Sequence, residues 1–195
     1  MIDPYFFGYG SLVNRKTHTY PLASPAEVRG WRRVWQGTKL RKLAFLSVEP
    51  DSEGRIDGLI AAVPGADWTA LDLREGAYQR HPVAQITHGQ AQDFEVQIYA
   101  VDPKHKEEGV HPILLSYLDT VIQGFLTEFG EDGARAFFDE TGGWDMPIRD
   151  DRHDPMYPRV TELTDGERAF VDENLRRIHE ALRTSDTTRR VSLKG

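Results

Sequence analysis

Tyr5-Phe6-Phe7-Gly8-Tyr9-Gly10-Ser11-Leu12 sets a short aromatic run directly against a glycine turn. The run reads as a strand, and Gly8 and Gly10 stop it. Glycine lets the backbone turn sharply, with positive φ where needed, and leaves amide N–H groups free to point at an anion. The spacing is not that of a dinucleotide fingerprint, since Val13 stands where G-x-G-x-x-G needs its third glycine. Ser11 is not a nucleophile elbow either, because G-x-S-x-G is absent around it. Taken alone, the stretch leaves two readings open, a plain turn after a strand or a ligand cradle.

Outward from this stretch the first hundred residues read mainly as strands. Trp31 to Trp35 and Ala44 to Val48 follow, Asp51-Ser52-Glu53-Gly54 reads as a turn, and Ile56 to Val63 resumes as a buried strand in a hairpin. Tyr78 to Ile86 and Phe94 to Val101 supply two more. The remainder reads as helix. Pro112 opens one, with Leu114, Leu118, Val121, Phe125 and Phe129 along a face until Gly130 ends it. Thr164 and Glu167 form a capping box for the last, which carries Val171, Leu175, Ile178 and Leu182. Strands first and helices later predict an α+β fold. A single domain over residues 1–184 with a polar tail over 185–195 is expected.

One short helix lies between the two halves. Asp67 is a suitable N-cap and Gly76 a suitable stop, and Trp68, Leu71 and Glu75 share one face. If the apolar pair points inward, Glu75 follows it. Burial and the negative end of the helix dipole both disfavour its charged form, which raises its pKa toward the range useful for proton transfer. The spacing equally allows a solvated Glu75 paired with an arginine such as Arg80.

Bulk properties exclude several classes. The 195 residues are 39% hydrophobic and 28% charged, enough for a sizeable core. There is no cysteine, so disulfides, thiolate nucleophiles and cysteine-held zinc are out. A net charge of −7 disfavours a nucleic-acid partner. No apolar run is long enough to span a membrane, and Met1-Ile2-Asp3-Pro4 carries no export signal, so a cytoplasmic location is expected. Arg29, Arg32, Arg33, Lys39, Arg41 and Lys42 form a basic cluster, read as a solvated strand-and-loop face or, less simply, as an anionic-ligand rim. Seven histidines show no zinc spacing, and the Asp150, Asp151, His153, Asp154 knot reads as a solvated acidic loop rather than a metal site. Trp144 and Tyr157, which flank that knot, are candidates for capping a pocket.

Together the motifs carry a resemblance. Tyr5 to Leu12 resembles the N-terminal signature of the gamma-glutamylcyclotransferase family. Leu71-Asp72-Leu73-Arg74-Glu75-Gly76-Ala77-Tyr78 resembles its second signature, which holds the catalytic glutamate, and Pro112, Tyr117 and Gly124 resemble its Pro…Tyr…Gly helix. The resemblance implies a small mixed β-barrel flanked by helices. It implies that Tyr9, Gly10, Ser11 and Leu12 hold a γ-glutamyl group, that Glu75 shuttles the proton, and that Tyr78 forms a wall or donates a hydrogen bond. The implied partner is a small γ-glutamyl compound, cyclised to 5-oxoproline without metal or organic cofactor. Arg80 and Arg159 are candidate readers of substrate charge. The segment 145–159 matches no family pattern. A non-catalytic binding module on the same fold, or a metal-dependent hydrolase using 145–159, are the alternatives.

Overall fold

A strand built of aromatic side chains and glycine is covered on both faces. β1 (Tyr5–Gly8) is buried at every position and lies inside a six-stranded sheet. β2 (Ser24–Gly37) and β3 (Ala44–Ala62) form a long antiparallel hairpin beside it. β4 (Tyr78–Pro82), β5 (Ile86–His88) and β6 (Val96–Val101) complete the sheet. The strand order is β4-β6-β1-β3-β2-β5, with β1 antiparallel to β3 and parallel to β6. Among the described residues no ladder joins β4 to β5, the two ends of the order. This is a computed structural model, which describes residues 2–192, with side chains as far as 184.

The helices are α1 (Thr69–Arg74), α2 (Leu115–Glu140) and α3 (Asp165–Ser192). A small parallel pair, β7 (Ile113–Leu114) and β8 (Ile148–Arg149), leads into and follows α2. Because neighbouring strand residues face opposite ways, β1 serves two cores. Phe7 joins Ile60, Ile98 and the α2 residues Val121 and Phe125 in the larger one. Phe6 joins Leu12, Ala61, Leu71 and Tyr99 in the smaller, under α1. Each such aromatic, fully withdrawn from water, contributes about 1.5–3 kcal/mol. The α+β class and the flanking helices agree with the sequence, and the expected small mixed β-barrel takes the form of a mixed six-stranded sheet with no closing ladder among the described residues. Among the described residues no helix is long and apolar enough to cross a membrane.

Several local expectations need correction. The turn at Asp51–Gly54 does not divide two strands: β3 runs through it, and the bend is taken up as a bulge. Arg29 faces Arg55 and Trp31 faces Pro50, so Gly30 alone, at φ 85°, opposes four residues. Asp51 still accepts the Glu53 N–H at 3.1 Å, a local turn kept inside a strand. The hairpin bends instead at Thr38–Leu43. Tyr78 to Ile86 breaks into β4 and the start of β5. Pro112 precedes β7, and α2 begins at Leu115. Gly130 does break the helix, at φ 68° and ψ −170°, but a second run continues to Glu140. The capping box forms as expected, with Thr164 N–H to Glu167 at 2.7 Å and Glu167 N–H to Thr164 Oγ1 at 3.2 Å. α3 carries the backbone of the polar tail as helix up to Ser192, and 193–195 lie outside the described residues.

Arg33 departs most from its expected place. It is not on a solvated face but 1% exposed, under the guanidinium-facing rings of Phe125 and Phe137 at 5.2 and 4.9 Å. Its donors reach Asp57 O at 2.8 Å, Thr141 Oγ1 at 3.3 Å and Glu140 Oε2 at 3.3 Å. Burial lowers its pKa to about 10, against the pull of Glu140.

Candidate active site

Asp67, expected as the N-cap of α1, stands one residue before it: Trp68 takes that position with no side-chain cap, and Asp67 accepts the Thr69 N–H at 3.0 Å in a local turn. One turn on, Leu71 is fully buried in the smaller core, and this fixes which way the short helix faces. Glu75 is the residue where the helix ends; its N–H reaches Leu71 O at 2.8 Å and its carbonyl accepts the Tyr78 N–H at 2.8 Å. The carboxyl is thus held where helix turns into strand β4, with its side chain 15% exposed. The inward reading of the Trp68, Leu71, Glu75 face holds, although Trp68 is only half-buried.

Opposite it stands the glycine turn. Ser11–Val13 forms one 3₁₀ turn, closed by Val13 N–H to Gly10 O at 2.9 Å and Asn14 N–H to Ser11 O at 3.2 Å. Glycine is required by close approach rather than by φ. A Cβ on Gly8 would meet Leu12 Cβ at 2.4 Å, and one on Gly10 would meet the Tyr117 hydroxyl at 2.7 Å. Gly124 of α2 is equally forced, since a Cβ there would meet the Asn14 backbone nitrogen at 2.6 Å. The third motif of the sequence therefore serves to bring α2 against the turn.

Two connected hollows result. A recess of about 30 Å³ is lined by the turn, Tyr9 to Leu12 included, and by Glu75, Tyr78, Tyr99 and Tyr117. It shares Ser11, Leu46, Glu75, Tyr78 and Tyr117 with a cavity of about 470 Å³, in the range that takes a small organic ligand. All six residues singled out in the sequence converge here: Tyr9, Gly10, Ser11, Leu12, Glu75 and Tyr78. Leu12 lines the recess from the buried side, within the smaller core. Tyr9 donates its hydroxyl to Tyr99 O at 2.5 Å, and Tyr78 donates to Leu46 O at 3.0 Å. Burial pushes the phenols of Tyr9, Tyr78 and Tyr117 far up, and the nearby Glu75 charge adds to this. They stay neutral, and the Tyr9 and Tyr78 protons are already given to the Tyr99 and Leu46 carbonyls.

Burial likewise raises the pKa of Glu75, opposed by Arg74 and, more remotely, Arg159. Arg74 was not foreseen. Its Nε stands 3.1 Å from Glu75 Oε1, and it also donates to Thr17 O, Thr17 Oγ1 and Ser11 Oγ at 2.9, 3.1 and 3.3 Å. One guanidinium therefore ties the carboxyl to the glycine turn. Tyr117, noted only as part of a helix motif, is a wall of both hollows.

Of the two candidate charge readers, Arg159 lines the larger cavity and Arg80 does not. Arg80 lies over the Trp68 ring at 4.5 Å and pairs with Asp72 at 3.0 Å, on the outside of α1. Tyr157 lines the cavity, whereas Trp144 is buried against Trp35 and Phe138. Among the described residues no group of three or more histidines and acids stands close enough to hold a metal ion.

The acidic knot is spent on structure. Asp151 is buried and accepts Ser116 N–H at 2.8 Å, Ser116 Oγ–H at 2.6 Å and Met156 N–H at 2.9 Å. Leu114 cannot cap α2, so a carboxylate from a distant loop does so, and in return the loop bearing Tyr157 and Arg159 is anchored. Burial works against the Asp151 charge, but the Ser116 and Met156 donors outweigh it and hold its pKa below the ordinary 3.8. Its contribution to stability is therefore full above that value and is lost as pH falls through the lower folded pKa. Asp151→Ala should cost about 2–3 kcal/mol near neutral pH, and the gap to the parent should narrow on acidification below pH ~4. Denaturant melts across pH check this; a gap that stays constant to pH ~2 would show that the charge does not matter.

With the geometry in view, the sequence model of the family described as gamma-glutamyl cyclotransferase, AIG2-like, matches residues 6–120. That span holds the turn, α1, Glu75 and the start of α2. The chain belongs to this family. Solved structures agree at the level of fold. The gamma-glutamyl cyclotransferase fold of this chain matches YkqA of Bacillus subtilis with a TM-score of 0.55 at 20% identity, over 72% of this chain and 56% of that one. The chain thus spans little more than half the length of that protein. A structure named gamma-glutamyl cyclotransferase matches with a TM-score of 0.56 at 11% identity, over 88% and 99% of the two chains. An uncharacterised protein from Homo sapiens matches with 0.57, also at 11% identity and over 88% and 99%. No curated protein matches the chain in sequence.

Proposed function

We propose that the protein cyclises a γ-glutamyl amide to 5-oxoproline and releases the amine, with Glu75 moving the proton. The observation that carries this is a desolvated carboxyl of raised pKa at the meeting point of a glycine-turn recess and a ligand-sized cavity. A γ-glutamyl amide carries its own nucleophile, the α-amine. The enzyme need not supply one, nor a metal or organic cofactor. It has to fold the substrate, steady the developing oxyanion and transfer a proton.

In this reading the Tyr9–Leu12 turn holds the glutamyl part in the recess, its backbone amides serving the carboxylate or the oxyanion. Tyr78 and Tyr117, neutral and half-buried, wall the reacting carbonyl. The α-amine nitrogen bonds to the γ-carbonyl carbon and gives its proton to Glu75. Glu75 returns a proton to the leaving nitrogen as the amide C–N bond breaks. A carboxyl whose pKa lies above the usual range is matched to both halves of this exchange. Arg74 keeps that carboxyl aimed while limiting how far its pKa rises. In this reading the reaction takes place in the cytoplasm.

The test is 5-oxoproline release from a panel of γ-glutamyl amino acids, γ-glutamyl amines and glutathione. Release from at least one, insensitive to chelators, is expected. Binding of 5-oxoproline without turnover of any panel member would replace the enzyme by a binding module, and activity restored only by one added metal ion would replace it by a metal-dependent hydrolase.

A further inference from the structure

We infer that the outer part of the cavity selects γ-glutamyl amides whose leaving group is an apolar amino acid, its α-carboxylate held by Arg41 and Arg159. This rests on the cyclotransferase reading of the same site and names its substrate class. The cavity is much larger than the recess, and the walls that the recess does not share are mainly apolar: Leu40, Leu43, Phe45, Leu114, Met156 and Pro158. At its mouth two large apolar side chains face water, Leu73 at 84% and Met156 at 40% exposure. A leaving group with an aliphatic or aromatic side chain would cover them.

The charge around the cavity points to an anion beside that side chain. Three arginines line it against a single acid, Glu75. Arg74 is committed to Glu75, Ser11 and Thr17. Among the described residues the side chains of Arg41 and Arg159 form no hydrogen bond and no ion pair, and neither lines the recess. Lys42, next to Arg41, is by contrast tied to Glu107 at 2.6 and 2.8 Å. In a chain of net charge −7 this leaves a local surplus of two cations on the side where the leaving group lies. Guanidinium is the group best matched to a carboxylate.

Backbone geometry supports the same end of the cavity. Arg41 and Lys42 are successive non-glycine residues at φ 58° and 51°, at the tip of the β2–β3 hairpin. Thr38 Oγ1 pins this tip through Leu40 O at 2.8 Å and Leu43 O at 3.2 Å. L-residues hold such φ only when their surroundings impose it, and such strain gathers at ligand clamps. A hairpin needing only a tight turn is served by glycine; here it carries the arginine that lines the cavity.

The experiment compares kcat/KM for γ-glutamyl-leucine, its decarboxylated counterpart γ-glutamyl-isopentylamide, and γ-glutamyl-glycine. The leucine compound should exceed each of the others by on the order of tenfold, since exposed arginines are only moderately strong partners. In Arg41→Gln/Arg159→Gln the ratio of leucine compound to isopentylamide should fall to within about threefold of one, while its margin over the glycine compound stays. Arg41→Gly, which suits φ 58° and so keeps the hairpin, should lower the same ratio in part. Equal turnover of amide and amino acid by the parent, or a ratio that survives the double variant, overturns the inference while cyclotransferase activity stands. Release of 5-oxoproline from none of the three overturns both.

Discussion

Glu75→Gln is expected to slow 5-oxoproline release by on the order of 10²–10⁴, with folding and product binding nearly unchanged. Glutamine keeps the size of the side chain and can still face Arg74, but it cannot take a proton from the α-amine or return one to the leaving nitrogen. The parent should lose rate on the acid side as Glu75 becomes protonated, at a pH above the ordinary 4.5 because burial favours its neutral form. That limb should be missing from the residual activity of the variant. A structural glutamate predicts the reverse, with stability lost and the rate per folded molecule kept. Near-parental release by a purified, folded Glu75→Gln sinks the mechanism.

The largest loss of stability is expected at Arg33. Arg33→Ala should destabilise the protein by about 3–5 kcal/mol, through the cavity left between Phe125 and Phe137 and the loss of the donor to the Asp57 carbonyl. Arg33→Met keeps most of the volume and removes the desolvated charge, so it should cost far less, roughly 1 kcal/mol. For a chain of this size the alanine variant should melt about 10 °C below the parent. Denaturant midpoints give the ranking; equal losses for alanine and methionine would mean that packing around the stem contributes nothing.

Arg33 also shows where the sequence was legible and where it was not. The strand period places Trp31, Arg33 and Trp35 on one face, so an arginine between two tryptophans at i−2 and i+2 was a signal of burial. Composition hid it, because its basic neighbours made the whole stretch read as solvated. The site itself was legible where it was local. The aromatic strand, the glycine turn and the inward face of α1 follow from spacing over a few residues, and Leu71 fixes the direction of Glu75. What escaped depends on contacts between distant segments. Arg74 acts by reaching residues 57 and 63 positions away, and Asp151 by capping a helix 35 positions back. Period and propensity carry no trace of such pairings. Turn chemistry misled at Asp51–Gly54 for the opposite reason, since a bulge opposite Gly30 absorbed a turn that the local residues do favour.

The central position of β1 bears on how the chain folds. Its partners are Leu59–Ala62 on one side and Val96–Ile98 on the other, so both ladders that seat Tyr5–Gly8 close across long stretches of sequence. During synthesis β1 has neither of its sheet partners until β3 has emerged, and its parallel partner arrives later still. Three aromatic residues stay unburied for that interval, and the parallel pairing adds loop-closure entropy that must be met before it is rewarded. The glycine turn that follows can take its shape only once both neighbours are in place. Ligand-binding competence therefore arises late, after about half the chain has been ordered, and a nascent chain stalled before β6 would expose an aggregation-prone strand rather than a half-built site.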